Sequence, residues 1–99
     1  MLPPSLAWIP DVTDSLGRAS GTPASFETRK GVNQLVYTVR IHFTHALPSK
    51  SRMLVWNIIG MYAAKNDCVM VGSPTFSALD VRFDVGMKRR LGLERKSAP

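Results

Sequence analysis

Between Val32 and Thr44 the side chains fall into two interleaved sets. Leu35, Tyr37, Val39, Ile41 and Phe43 alternate with Val36, Thr38, Arg40, His42 and Thr44. Period two with β-branched and aromatic residues specifies a long strand. One face is apolar enough to meet a core, and the other presents Arg40 and His42 to solvent or to a ligand. The strand therefore requires an apolar layer on one side only.

The next segment supplies that layer. Leu47-Pro48-Ser49 ends the strand and opens a helix, with Pro48 near the cap and Ser49 or Ser51 able to accept a backbone N–H. Met53, Trp56, Ile59 or Gly60, and Ala63 follow helical spacing, and Leu54, Ile58, Met61 and Tyr62 widen the stripe. A helix from about Ser49 to Lys65 lying across the sheet is expected, with Gly60 marking a close approach to the strands. Asn66-Asp67 signals a turn, and Cys68 to Val71 reads as a short strand buried on both faces, broken by Gly72-Ser73-Pro74. A last alternation sets Leu79, Val81, Phe83 and Val85 against Asp80, Arg82, Asp84 and Gly86, giving a half-exposed strand.

Ahead of these elements, residues 1–28 hold Pro3, Pro4, Pro10, Pro23, Gly17 and Gly21 among Ser and Thr. Such a composition interrupts helix and strand alike, so a flexible arm is expected. Within it Leu6, Trp8 and Ile9 form an apolar patch that needs a docking surface, on its own domain or on a partner. The organisation read from sequence is an arm over 1–28, a core over 29–87 and a basic tail over 88–99. The fold class is α+β, one helix on a sheet in the order strand, helix, strand, strand.

Ninety-nine residues make a single domain with a modest core. Cys68 is the sole cysteine, which excludes an intramolecular disulfide and a multi-cysteine zinc site; its reading is a small buried apolar side chain. Apolar runs fall far short of the ~20 residues of a membrane-spanning helix, and Met1-Leu2-Pro3-Pro4 lacks the basic and apolar regions of a secretory signal. The expected location is intracellular, either cytoplasmic or organellar.

Charge is distributed unevenly. From Arg29 to Asn66 the chain carries Arg29, Lys30, Arg40, Lys50, Arg52 and Lys65 and no Asp or Glu. The four successive segments 1–28, 29–66, 67–87 and 88–99 hold −2, +6, −2 and +4. A pI near 10.1 with this asymmetry suits a polyanion, either nucleic acid or an anionic membrane surface. Arg29, Lys30, Arg40, Lys50, Arg52, Lys88, Arg89 and Arg90 are the candidate contacts, expected to outline one edge of the sheet if the long strand and the last strand are neighbours. Lys and Arg sets of this kind, joined to helix N-terminal amides, grip phosphates without reading base sequence.

Chemistry of other kinds is sparse. His42 and His45 have no Cys, Asp or Glu between them, and a spacing of three puts them on opposite faces of a strand, which is poor for chelation. Asp80 and Asp84 flank Arg82 at strand spacing, and the arginine is expected to neutralise them rather than leave an acid/base pair. Nucleotide-loop, nucleophile-elbow and zinc-protease signatures are missing from the sequence. The expectation is a non-enzymatic chain with no catalytic residue, metal or cofactor.

One resemblance follows from these residues. The stretch 35–76 combines a strand ending in His45, Pro48-Ser49-Lys50-Ser51, a helix ending in Met61-Tyr62, and Asp67 before Val69 to Val71. It resembles the core of the eukaryotic and archaeal ribosomal protein S24e family. The resemblance implies a ribosomal RNA-binding role for Arg40, Lys50 and Arg52. Ser73 to Asp80 replace that family's glycine-rich basic segment, and the Pro-rich arm has no counterpart there. Two functions are thus expected. The first is an RNA-binding structural component of a ribonucleoprotein, held among protein partners. The second is a small viral or organellar matrix-like protein that forms a homo-oligomer and binds anionic membrane or nucleoprotein.

Overall fold

The long alternation is a strand, and it lies inside the sheet. A computed structural model describes residues 2–31 and 35–88. After a 3-10 turn at Pro4–Leu6 come helix α1 (Trp8–Ser20) and strands β1 (Ala24–Lys30) and β2 (Val36–Phe43). A second 3-10 turn, Ser49–Ser51, leads into helix α2 (Arg52–Lys65), followed by β3 (Cys68–Phe76) and β4 (Asp80–Met87). The α+β class read from the sequence is the class observed, with two helices and a four-stranded antiparallel sheet of order β1-β2-β4-β3. Val39, Ile41 and Phe43 of β2 and Val81, Phe83 and Val85 of β4 point to one face, where they join α1 and α2 in one buried cluster. No described helix covers the other face of the sheet.

The segment expected as an arm supplies part of that cluster. Its Pro-rich start forms the first 3-10 turn, and α1 then buries Trp8, Ile9, Val12, Thr13 and Leu16, a helical stripe. Pro10 is tolerated because it falls in the first turn, where backbone N–H groups lack intrahelical partners. Gly21, at φ 74° in the left-handed region, ends the helix by donating its N–H to Gly17 O. A side chain on Gly17 would put its Cβ 3.3 Å from Thr22 O, so glycine lets the helix end lie against the start of β1. Leu6, Trp8 and Ile9 are therefore core residues docked on their own domain, and the partner-docking role expected of them has no exposed surface behind it.

In α2 the face differs from the expected stripe. Val55, Ile59 and Ala63 are buried, Trp56 is half-buried with its ring edge-on to Phe83 at 6.0 Å, and Met53, Leu54 and Met61 are exposed. A helix apolar all round gives no unique face from periodicity alone. Gly60 meets nothing within 4 Å, so it marks no close approach to the strands.

Strand β3 is an edge strand, not a strand buried on both faces. Only Cys68 in it is fully buried, and Gly72-Ser73-Pro74 does not end it but shifts its register against β4 between Val71 and Thr75. Burial pushes the Cys68 thiol above its ordinary pKa, a shift that nearby Asp67 adds to and a hydrogen bond from Trp8 opposes. No described helix is long and apolar enough to cross a membrane.

Candidate nucleic-acid interface

Strand register places the polar residues of the open face in rows. Ser25, His42 and Asp80 form one row, Glu27, Arg40, Arg82 and Thr75 the next, and Arg29, Thr38, Asp84 and Val71 a third. The middle and third rows border a shallow depression of about 490 Å³ whose lining sets Arg29, Arg40 and Arg82 among Glu27, Asp84 and Thr38. Three arginines and three carboxylates share this face, so its summed charge is near zero and local pairing decides which cations are free.

Pairing is unequal. Arg40 lies 3.7 Å from Glu27 and 3.5 Å from Asp80, and His42 Nδ1 lies 3.9 Å from the same Asp80 carboxylate. Arg40 Nε and His42 Nδ1 are buried atoms that find ion-pair distance without hydrogen-bond geometry. Asp80 also accepts a hydrogen bond from Ser77 Oγ and is thereby fixed at the start of β4. Asp84 accepts from Thr38 Oγ1 at 2.7 Å. Both carboxylates expected to be neutralised by Arg82 are thus held by other groups, and Arg82 makes no ion pair among the described residues. Arg29 is likewise exposed and unpaired there. The sequence marks Arg29 as a candidate and passes over Arg82. Only the register, which sets Arg82 opposite Arg40 rather than beside a free acid, reveals it.

The remaining basic candidates do not share one edge. Lys30 ends β1, and Lys88 follows β4 with its N–H on Asp67 O at 2.9 Å, so both lie at the end of the sheet where β2 begins. Lys50 and Arg52 lie beyond the opposite end of β2, ~20 Å away by strand rise. The guanidinium of Arg52 stacks 5.5 Å from the Phe76 ring centroid, which fixes the first turn of α2 against the end of β3. That turn has neither a side-chain cap nor an acid to oppose the helix dipole. Arg89 and Arg90, with most of the basic tail, lie outside the described residues.

His45 belongs to no site; it follows the strand and donates its backbone N–H to Thr22 Oγ1 at 3.0 Å. Among the described residues no three His, Cys, Asp or Glu side chains gather as metal ligands would. Compared with family models, curated proteins and solved structures, the chain matches none.

Proposed function

We propose that this chain binds RNA or a related polyanion without catalysis, using the open face of its sheet as the platform. The supporting observation is the pair of unpaired guanidiniums, Arg29 and Arg82, on a face that no described element covers and whose carboxylates are already engaged, Glu27 and Asp80 near Arg40 and Asp84 by Thr38. Arginine forks on a fixed lattice of strands suit phosphate oxygens, while the rows of this face hold no Phe, Tyr or Trp on which a base could stack. Lys30 and Lys88 extend the positive field at one end of the sheet. Lys50 and Arg52 form a separate positive spot, where an anion would relieve the uncapped helix start. In this reading the chain is a structural component of a ribonucleoprotein.

Binding to structured RNA, measured at two salt concentrations, tests the reading. Arg29→Gln with Arg82→Gln should weaken binding across sequences and flatten the log-log salt slope by about 0.7 for each lost single-strand phosphate contact. A wild-type chain that binds no RNA at low salt, or a folded double variant that binds as tightly as wild type, would overturn it.

The matrix-like reading draws on a different observation. Met53, Leu54 and Met61 stand exposed on α2 between Lys50 and Lys65, a pattern that fits an anionic bilayer surface. Binding to vesicles with anionic headgroups, unaffected by the two arginine substitutions, would favour it.

A further inference from the structure

The sheet has two edges of opposite character. On β3 the edge is broken by Gly72 at φ 77°, by Pro74 and by the register shift, devices that keep other strands from pairing there. On β1 the edge is regular: seven consecutive residues, Ala24 to Lys30, pair with β2 without a bulge and without proline. Gly31 donates to Val36 O and Thr44 to Pro23 O, which marks 31/36 and 23/44 as narrow pairs. Counting in twos, Ser25, Glu27 and Arg29 turn their backbone groups toward β2. Ala24, Phe26, Thr28 and Lys30 turn theirs outward. A regular row of donors and acceptors is a template for another strand, provided that the charged side chains along it, Glu27, Arg29 and Lys30, meet suitable partners there.

We infer that a second copy of this chain pairs with β1, antiparallel about a two-fold axis at Thr28, to form a continuous eight-stranded sheet. Side-chain charge selects this register. Centred on Thr28, Glu27 faces Arg29 of the second copy and Arg29 faces its Glu27, so one contact occurs twice as the symmetry demands. Centring on Glu27 would set the two glutamates against each other, and centring on Phe26 would leave Arg29 opposite Pro23. In the favoured register the outward amides of Phe26, Thr28 and Lys30 all find partners, and the Lys30 stem of each copy lies beside the half-buried Phe26 of the other. Two helices over four strands take about two strand spacings each, near 10 Å, so α1 of the second copy arrives at ordinary helix-packing distance. The pairing engages Arg29, which the polyanion reading also uses, but its test by self-association and heterodimer recovery reads the pairing alone.

A charge-swap series tests it on the full-length chain, with the mass in solution read by sedimentation against concentration. Wild type should form dimers, and more readily as salt screens the +6 charge of each copy. Glu27→Arg and Arg29→Glu should each weaken self-association roughly tenfold or more, since each puts like charges opposite one another twice. Mixing the two single variants should restore a heterodimer, and the swap Glu27→Arg with Arg29→Glu should restore the homodimer, results that general damage to the fold cannot produce. Amide exchange should show Phe26, Thr28 and Lys30 gaining protection as concentration rises. A wild type that stays monomeric into the millimolar range overturns the inference. So does a dimer that both single variants leave intact, because another surface would then form it.

Discussion

Helices α1 and α2 pack on the same face of the same sheet, yet they use their surfaces differently. In α1 every large apolar side chain is buried, and Asp11, Asp14 and Arg18 are exposed, with the acid in the first turn and the arginine in the last as the helix dipole favours. In α2 the buried line Val55, Ile59, Ala63 suffices for packing, yet Met53, Leu54 and Met61 remain in solvent, with cations at the helix start. The contrast separates two demands on sequence. α1 meets the needs of the fold and little else, whereas α2 carries apolar surface that the fold does not use.

The contrast breaks first if α1 proves dispensable. Ile9 is fully buried, in a cluster that also takes in Val12 and Leu16 of the same helix. Ile9→Ala should cost about 2 to 5 kcal/mol, much of the stability of a domain this small. Thermal unfolding by circular dichroism should show a greatly lowered midpoint or no cooperative transition. A variant that melts like wild type would return the first 28 residues to the status of an arm.

How legible these elements were depended on what interrupts them. β2 and β4 are readable because half-exposed strands keep strict alternation: the residues expected inward from Tyr37 to Phe43 and from Val81 to Val85 point inward, whereas Leu35 and Leu79, expected on the same faces, stand exposed just ahead of their strands. α1 was hidden by Pro10 and Gly17, residues that usually end helices. Here one falls in the first turn and the other allows a close approach to β1. β1 was hidden by its polar composition, Ala-Ser-Phe-Glu-Thr-Arg-Lys, which suits only an edge strand with one open face. Of the candidate site, Arg40 was read correctly as outward-facing. Its capture by Glu27 could not be foreseen without β1, nor the release of Arg82 without the partners of Asp80 and Asp84.

A middle-sized effect belongs to the flank of α2. Trp56 is half-buried and meets Phe83 edge-on at 6.0 Å, so it lies between the packed line and the exposed one. Trp56→Ala should therefore cost about 2 kcal/mol, less than the roughly 3 to 5 kcal/mol of a fully buried aromatic. The variant should remain folded at room temperature with a clearly lowered denaturant midpoint. Complete unfolding would mean that α2 depends on this flank as α1 depends on Ile9, and the distinction between the helices would narrow.

The smallest effect on stability should come from the outer face of α2. Met53, Leu54 and Met61 are 69%, 51% and 64% exposed, so their side chains have little contact to lose. Glutamine has nearly the helix propensity of methionine and leucine, and changing all three to Gln removes apolar surface without weakening the helix itself. Each substitution should shift stability by no more than about 0.5 kcal/mol, as expected for surface positions away from packed features. The same triple variant should bind less of an apolar dye and lose affinity for whatever apolar or bilayer surface the wild type engages, because these residues form the largest exposed apolar group on the helix. Chemical denaturation and dye binding, run side by side, separate the two properties. If the variant loses several kcal/mol, this face is covered in the free protein and the fold draws on α2 as fully as it draws on α1. If stability and dye binding are both unchanged, the exposed residues are ordinary surface and carry no partner.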